Sequence, residues 1–321
     1  MSELELTRLV ECVPNVSEGR RPEVVEEIVA AFAVPGVLVL DHSSDPDHHR
    51  TVITLMGPGP ALVEGAVAGA RACARLIDLT QHAGVHPRMG ALDVLPFVPF
   101  GAETRLRGGD DPDLDCADLA ERAGRRIATE AGIPVYLYGA AARHPGWAAL
   151  PAVRGRGFEA LQAALAGGDA GRVPDFGGPG LHPTAGATAA GAREVLIAYN
   201  VELAGADLDL ARRIASAVRE RDGGLPAVRA MAVPLKGRSL VQVSMNLLDW
   251  RATPPAAAFA AVAGLAERAG ARVEASEIVG LVPAGALEGV DPAGLRLRDF
   301  TPDLVLETRL LQALTTVKEN R

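Results

Sequence analysis

The stretch GVLVLDHSSDPDHHRTVITLM, from Gly36 to Met56, consists of two apolar runs separated by a polar segment. The runs Gly36 to Leu40 and Thr51 to Met56 are aliphatic and partly β-branched, which predicts two β-strands. Helical patterns flank the pair, from Pro22 to Ala33 before it and from Ala61 to Leu76 after it. The order helix, strand, strand, helix is the centre of a βαββαβ unit.

Strands at Val10 to Val13 and Leu92 to Val98 complete this unit. The same order recurs later in the chain, with strands at 194–199, 227–233, 240–245 and 272–279 and helices at 207–219 and 256–269. The repeat predicts an α/β chain of the α+β sandwich type, built from two ferredoxin-like halves with mixed or antiparallel sheets. We expect the division into domains at 1–194 and 195–321.

Between the two repeats the sequence predicts a helix at Asp113 to Glu130 and an added strand at Val135 to Tyr138. The stretch Gly177 to Gly191 is rich in Gly, Pro, Ala and Thr, which is typical of a linker or a binding loop. A last helix is predicted from Pro302 to Thr315.

Composition argues against several classes of partner. The formal net charge is −8 and no lysine-rich stretch occurs, which disfavours nucleic acid. The cysteines, Cys12, Cys73 and Cys116, lack metal or redox spacing, so we expect reduced, packed thiols. Met1 to Arg8 has no apolar signal core and no later run is long enough to span a bilayer, so we expect a cytoplasmic protein without membrane contact.

Three polar loops should share one edge of the first sheet, because strand direction in a βαββαβ unit brings them together. They are the first loop, Pro14 to Arg20, the second loop, Asp41 to Arg50, and the third loop, Thr80 to Ala91. The second and third loops hold five of the seven histidines. The first loop precedes a helix whose free amides could hold an anionic group.

A histidine near neutrality can both take and return a proton, which suits acyl-like transfer. A lone histidine more often caps a turn or bonds a carbonyl, but the clustering favours function for the group. A metal site is the main alternative, since His82 and His86 have i, i+4 spacing. Gly84 and Pro87 indicate a loop rather than the helix which that spacing requires. The remaining ligands would come from the second loop: Asp41, Asp45, Asp47, His48 and His49.

Other catalytic motifs find no support. The sequence has no Gly-x-Ser-x-Gly elbow, no Walker loop and no Gly-x-Gly-x-x-Gly fingerprint. Cys12 lies inside a predicted strand, where a buried thiol is favoured over an activated nucleophile.

Several of these segments resemble the glutamate formimidoyltransferase family, the amino-terminal part of formimidoyltransferase-cyclodeaminase. The matching segments follow one another along nearly the whole chain: Val10-Glu-Cys-Val-Pro-Asn-Val-Ser-Glu-Gly19, Arg50-Thr-Val52, His86-Pro-Arg-Met-Gly-Ala-Leu-Asp-Val94, Pro134-Val-Tyr-Leu-Tyr-Gly139, Pro174-Asp-Phe-Gly177, Gly186-Ala-Thr188, Gly191-Ala-Arg193, Gln242-Val-Ser-Met-Asn-Leu-Leu-Asp249 and Val279-Gly-Leu-Val-Pro283. The resemblance implies transfer of a formimino group from N-formimino-L-glutamate to N5 of tetrahydrofolate, as in histidine degradation and one-carbon metabolism. It implies two similar halves whose sheets flank a folate cleft.

The resemblance also assigns roles to residues. The catalytic histidine of the family falls on His86, which would take the proton of N5 and return one to the departing glutamate nitrogen. Tetrahydrofolate is expected as co-substrate, with no metal. Its binding stretch falls on Gly177, Gly178, Pro179, Gly180, Leu181, His182, Pro183, Thr184, Ala185 and Gly186.

Five further residues are candidates for substrate contacts. Arg50 and Arg88 are expected to hold substrate carboxylates, because a planar guanidinium pairs with two oxygens at once. Their alternative is a structural salt bridge. The other three candidates, from the first and second loops, are Asn15, Asp41 and His48.

Two other functions stay open at this point: a metal-dependent hydrolase that uses the His- and Asp-rich loops, and a non-catalytic folate-binding protein. We expect a homodimer. The sequence ends at Arg321, shortly after the last predicted helix, so we expect no cyclodeaminase domain and a separate cyclodeaminase as metabolic neighbour.

Overall fold

A computed structural model describes residues 6–46, 48–83, 88–235 and 240–319. The chain folds as two compact units, Met1–Arg193 and Glu194–Arg321. This division lies one residue from the boundary expected from the repeat.

The first unit contains strands β1 to β7 and helices α1 to α5. Its strands are β1 Leu9–Cys12, β2 Asn15–Val16, β3 Leu38–Asp45, β4 Arg50–Pro58, β5 Leu92–Pro99, β6 Val135–Gly139 and β7 Thr188–Ala192. Its helices are α1 Pro22–Phe32, α2 Gly59–Leu76, α3 Cys116–Glu130, α4 Leu150–Arg154 and α5 Phe158–Ala166.

The sheet of the first unit has the order β3, β4, β1 with β2, β5, β7, β6. Strands β1 to β5 pair antiparallel, in the order of a ferredoxin-like sheet, with β1 and β2 forming one interrupted strand. β7 lies parallel to both β5 and β6 and extends the sheet. The α+β fold class predicted from the repeat is therefore confirmed for this unit.

One difference from the prediction concerns the segment before the second unit. Part of the stretch expected to be a linker or loop, Gly177 to Gly191, belongs to the buried strand β7. Its residues, Thr-Ala-Ala-Gly-Ala, are too small to give a strand pattern. Small size is what the position requires, because a Cβ on Gly191 would lie 2.5 Å from Cδ1 of Tyr138.

Alternation along the strands separates two apolar layers. In β6, Val135 and Leu137 pack with α1, α2 and α3, whereas Tyr136 and Tyr138 face the layer that includes Trp147, α4 and α5. α1 buries the stripe Val25, Ile28, Val29 and Phe32, at the spacing of an amphipathic helix. Full burial of one such side chain stabilises the fold by about 1.5–3 kcal/mol.

The second unit is a ferredoxin-like βαββαβ unit followed by a carboxyl-terminal helix. Its elements are β8 Ile197–Ala204, α6 Leu208–Val218, β9 Val228–Leu235, β10 Leu240–Leu247, α7 Pro255–Arg268, β11 Arg272–Val279 and α8 Leu306–Glu319. The antiparallel sheet has the order β11, β8, β10, β9. One face packs on α6 and α7, and the other carries polar side chains: Asn200, Glu202, Gln242, Ser244 and Glu277.

Cys12, Cys73 and Cys116 are buried thiols, as the sequence predicts. Burial raises the pKa of the Cys73 thiol far above its usual value, so the thiol stays protonated. Within the described ranges, none of the helices combines the length and the apolar character needed to cross a membrane.

Candidate active site

The three polar loops meet at one edge of the first sheet. The N–H of Ser17 donates to the carbonyl of Ala91 at 2.9 Å, and Ser17 Oγ donates to the carbonyl of Gly90 at 2.7 Å. These bonds join the first loop to the third. Gly19 joins the first loop to the second, because a Cβ at that position would lie 2.5 Å from the carbonyl oxygen of Asp45 and 2.7 Å from the nitrogen of Arg50. Only glycine permits this approach.

Glu18 occupies the centre of this junction, with 1% of its side chain exposed. Its Oε1 accepts from the amides of Gly19, Arg20 and Arg21 at 3.0, 2.8 and 3.1 Å, and its Oε2 accepts from Arg21 Nε at 2.7 Å. The amides before α1 therefore do hold an anionic group, but the chain itself supplies it. Burial alone would raise the pKa of Glu18, yet the hydrogen bonds from Arg20 and Arg21 outweigh burial and lower it to about 2.

His49 connects this carboxylate to the third loop. Its Nε2 lies 3.1 Å from Glu18 Oε1, and its Nδ1 lies 3.3 Å from the carbonyl oxygen of Ala83. Its ring stacks on the ring of His82, with centroids 4.1 Å apart and 8° between the planes. His49 lies in a turn and has a φ of +52°, a backbone conformation that is uncommon for residues other than glycine.

His82 is held in one orientation and in its neutral form. Its Nε2 donates to the carbonyl of His49 at 3.1 Å, which leaves Nδ1 without a proton. Nδ1 is buried, and no atom of the described residues accepts from it or donates to it. Burial lowers the pKa of His82 below its ordinary 6.5, and together with the charges of His49 and Arg88 it outweighs the opposing effects of the hydrogen bond to His49 and of Glu18. His82 thus presents a ring nitrogen, Nδ1, to which none of the described residues donates, and it does so two positions before residue 84.

The second loop, predicted to connect two strands, lies largely within a β-hairpin, because the first strand extends into it. Residues 41–45 belong to β3, and residues 46, 48 and 49 lie in a turn. Asp41 lies in the strand opposite Thr54, beside a β-bulge. Asp45 Oδ2 lies 2.6 Å from Nδ1 of His48, and Asp45 Oδ1 accepts from the His48 amide at 2.9 Å. In the first loop, Asn15 donates from Nδ2 to the carbonyl of Val13 at 3.0 Å.

Arg88, one of the two arginines expected to hold substrate, is committed to contacts within the protein. Its Nη2 donates to Glu159 Oε1 at 2.7 Å and to the carbonyls of Leu79 and His82 at 3.2 and 3.1 Å. Its Nη1 donates to Glu159 Oε2 at 3.3 Å, so the guanidinium and the carboxylate pair through both oxygens. With 14% of its side chain exposed, Arg88 fastens the third loop to α5.

Asp93 holds the carboxyl-terminal end of the third loop. Its Oδ1 accepts from the amides of Met89 and Gly90 at 2.6 and 3.2 Å. Its Oδ2 accepts from Nη2 of Arg154 at 2.6 Å. The charges of Arg154 and Asp93 act on Arg50, the second arginine expected to hold a substrate carboxylate.

The segment 177–186, expected to bind folate, is fastened to the third loop at its carboxyl-terminal end. Gly90 bridges Gly186, the amide of Ala91 donates to the carbonyl of Ala185 at 2.9 Å, and the amide of Leu79 donates to the carbonyl of Thr184 at 2.8 Å. Nδ1 of His182 accepts from the Ala185 amide at 2.9 Å and folds the tip of the turn. Ala185 and Gly186 are buried, whereas residues 177–180 are exposed.

Two predicted residues lie outside the described ranges. They are His86, the expected catalytic histidine, and Asp47, a candidate ligand of the alternative metal site. Among the described residues, no group of three or more His, Cys, Asp and Glu side chains has the arrangement of a metal site.

Sequence reasoning missed Glu18, Asp93, Arg154 and Glu159 as organisers of the site. Asp93 gave a usable signal, since an acid inside the apolar strand LDVLPFVP has to be hydrogen-bonded. Glu18 precedes the helix that begins with Pro22, where a carboxylate is favoured. Arg154 and Glu159 lie more than 60 residues from their partners in the chain, and no local pattern relates them.

Comparison with known families gives two matches that follow the two units. A family model described as the formiminotransferase domain, N-terminal subdomain, matches residues 9–193. A second, described as the formiminotransferase domain, matches residues 198–291.

Individual relatives point to the same family as the two family models. The chain is 43% identical over 306 residues to the glutamate formimidoyltransferase of Thermoplasma acidophilum, covering 95% of this chain and 98% of the relative. It is 39% identical over 308 residues to the glutamate formimidoyltransferase of Streptococcus pyogenes, covering 95% of this chain and all of the relative. It is also 43% identical over 289 residues to the formimidoyltransferase-cyclodeaminase of Sus scrofa, of which it spans about half the length. The chain therefore belongs to the formiminotransferase family.

Proposed function

We propose that this protein is a glutamate formimidoyltransferase, which transfers the formimino group of N-formimino-L-glutamate to N5 of tetrahydrofolate. The observation that carries the proposal is the similarity to two proteins of that name along 95% of the chain. Tetrahydrofolate acts as co-substrate, and glutamate is the second product.

The transfer requires two proton movements. N5 of tetrahydrofolate attacks the formimino carbon, a new N5–C bond forms, and N5 loses its proton. The bond between that carbon and the glutamate nitrogen then breaks, and the nitrogen gains a proton. No net proton is consumed, so one histidine that accepts the first proton and donates the second is sufficient. We assign this role to His86.

The described residues on both sides of His86 support the assignment. Upstream, His82 bonds the carbonyl of His49, and the carbonyl of Ala83 faces His49 Nδ1. Downstream, Arg88 pairs with Glu159, and Asp93 holds the amide of Met89. A short segment anchored at both ends presents a side chain with little loss of conformational entropy, which favours precise proton transfer.

We assign tetrahydrofolate binding to the segment 177–186, in agreement with the family resemblance. Its exposed part, residues 177–180, is accessible to a ligand, while Ala185 and Gly186 join the segment to the third loop and Thr184 bonds Leu79 just before that loop. A co-substrate that lies on the exposed part would therefore be held close to the loop that carries His86.

For the donor, we retain Arg50 as a carboxylate ligand and keep Asn15, Asp41 and His48 as candidate contacts. Arg88 is better explained as a positioning residue, because its guanidinium already pairs with Glu159 through both oxygens. A cyclodeaminase is the proposed metabolic neighbour, since the Sus scrofa relative carries both names. A homodimer and a cytoplasmic location stay predictions from the sequence.

The proposal is tested with purified protein, tetrahydrofolate and either N-formiminoglutamate or N-formylglutamate. We expect glutamate and 5-formiminotetrahydrofolate to appear in equal amounts with the formimino donor, at a rate proportional to protein concentration. Binding of tetrahydrofolate without turnover of either donor would instead identify a folate-binding protein. Loss of activity on treatment with a chelator, and its return with added metal, would contradict the metal-free mechanism.

A further inference from the structure

The first turn of α5, Gly157 to Glu159, holds the third loop through two separate contacts with Arg88. The amide of Phe158 donates to the carbonyl of Arg88 at 2.8 Å. The Glu159 carboxylate accepts from Nη2 and Nη1 of the same arginine at 2.7 and 3.3 Å. Gly157 permits this approach, because its φ is +93° and a Cβ there would lie 3.0 Å from the Arg88 carbonyl oxygen. Backbone and side chain of Arg88 are therefore bound to one helical turn.

Arg88 carries this hold to the other end of the loop. Its Nη2 also donates to the carbonyls of Leu79 and His82, nine and six positions earlier in the chain, at 3.2 and 3.1 Å. One guanidinium thus connects the two ends of the segment that contains His86. The hydrogen bonds from Arg88 lower the pKa of Glu159 below its ordinary 4.5, so the carboxylate that orients this guanidinium is charged at neutral pH.

The same turn of α5 also lies against the segment 177–186. The Phe158 side chain is buried, and a Cβ built on Gly186 would lie 3.1 Å from its Cδ2. Gly186 is the last residue of that segment and bridges Gly90 of the third loop. The first turn of α5 therefore contacts both the loop assigned to proton transfer and the segment assigned to tetrahydrofolate.

The pair between Glu159 and Arg88 contributes little to stability. The Glu159 side chain is 64% exposed, against 14% for Arg88, and an ion pair that solvent reaches is strongly screened. What the pair does determine is orientation, because a planar guanidinium bound through both oxygens of a carboxylate has one preferred arrangement. Glu159 is therefore better explained by the placement of the third loop than by the stability of the fold.

We propose that the first turn of α5 is a positioning element for formimino transfer, with Glu159 as a positioning residue that acts through Arg88. This inference rests on the proposed function. A turn that holds both the loop and the segment sets the distance between His86 and N5 of bound tetrahydrofolate. A small displacement of the proton acceptor slows the transfer, but it leaves the binding of either substrate nearly unchanged.

The test uses Glu159→Gln, which keeps the size of the side chain and removes its charge. We expect kcat to fall by about 10-fold, with both KM values within about 2-fold of the parent and the melting temperature within about 3 °C. Glu159→Asp keeps the charge on a shorter side chain and should recover part of the rate. Glu27→Gln is the matched control, because Glu27 is 54% exposed and pairs with Arg75 at 2.6 Å between α1 and α2. The control should leave kcat unchanged.

Hydrogen exchange measured by mass spectrometry gives a readout that does not depend on turnover. The amides of Met89 and Gly90 donate to Asp93, and their exchange should be at least about 3-fold faster in Glu159→Gln than in the parent and the control. A kcat equal to that of the parent, a change in KM alone, or unaltered exchange would overturn the positioning role. An inactive parent would refute the proposed function, and the exchange rates would then decide whether Glu159 holds the loop.

Discussion

The imidazole rings of His49 and His82 lie nearly parallel, with centroids 4.1 Å apart and 8° between their planes. The Glu18 carboxylate contacts Nε2 of the His49 ring, and the His82 ring donates a hydrogen bond to the carbonyl of His49. The stack therefore links the buried carboxylate of Glu18 to the third loop.

Replacing His82 with Ala should slow catalysis more than it destabilises the protein. The change removes the stack and the hydrogen bond to His49, so the segment before His86 loses one anchor. We expect kcat to fall by about 10-fold, while loss of a single hydrogen bond costs about 1 kcal/mol of unfolding free energy. Steady-state kinetics and thermal unfolding measure the two effects.

His82→Phe and Gln81→Ala complete this experiment. Phe keeps a ring for stacking, so His82→Phe should recover part of the rate that His82→Ala loses. Gln81 is exposed and adjacent, and its replacement should leave kcat unchanged. A full rate in His82→Ala would show that the stack has no part in presenting the third loop.

Glu18 should make stability depend on pH in the acid range. Its pKa is about 2 in the folded protein against an ordinary 4.5, so the unfolded chain takes up the proton first as the pH falls. The stabilisation by Glu18 is then complete above about pH 5 and disappears progressively towards pH 2. At neutral pH, Glu18→Gln should lower the free energy of unfolding by about 1–3 kcal/mol.

Denaturant unfolding of the parent and Glu18→Gln at several pH values tests this prediction. The difference in unfolding free energy between the two proteins should shrink as the pH falls from about 5 to about 2. Glu23→Gln is the control, because Glu23 is exposed in the first turn of α1. A difference that stays constant with pH would mean that Glu18 is not the titrating group.

The fold was predictable where apolar periodicity carries the information. The βαββαβ order follows from strands and helices whose buried faces repeat every two or every 3.6 residues, as in β6 and α1. β7 was missed because its residues, Thr-Ala-Ala-Gly-Ala, are small, and Gly191 has to be small to fit against Tyr138. Small residues do not show the alternation of apolar and polar side chains by which a strand is recognised. Its position between β5 and β6 is a long-range property.

The site was predictable only as far as strand direction brings loops to one edge. That argument placed the first, second and third loops together, and their contacts through Ser17, Gly19 and His49 agree with it. It could not show that Glu18 fills the amides before α1, or that Arg88 pairs with Glu159. Those pairings depend on side-chain reach between distant segments, which a single sequence does not encode locally.

His86→Ala should remove most turnover and leave the fold intact. We expect kcat to fall by about 100-fold or more, because no other group would take the N5 proton and return one to the glutamate nitrogen. Tetrahydrofolate affinity, measured by fluorescence titration, should stay within about 2-fold of the parent if the histidine acts in proton transfer alone. His144→Ala is the control, since His144 is exposed and packs on Trp147. Ordinary activity in His86→Ala, or a variant that fails only by unfolding, would refute the assigned role.

Gly180 offers a direct test of folate binding by the segment 177–186. A Cβ at this position meets no atom within 4 Å, so a larger side chain is accommodated without strain in the protein. If tetrahydrofolate lies on the exposed part of the segment, Gly180→Leu should obstruct it and raise its KM by about 10-fold, with an unchanged melting temperature. Gly146→Leu is the matched control, because Gly146 is also exposed and also has no atom within 4 Å of a built Cβ. Equal KM values for tetrahydrofolate in the two variants would place the co-substrate elsewhere, because both add the same side chain to an open position.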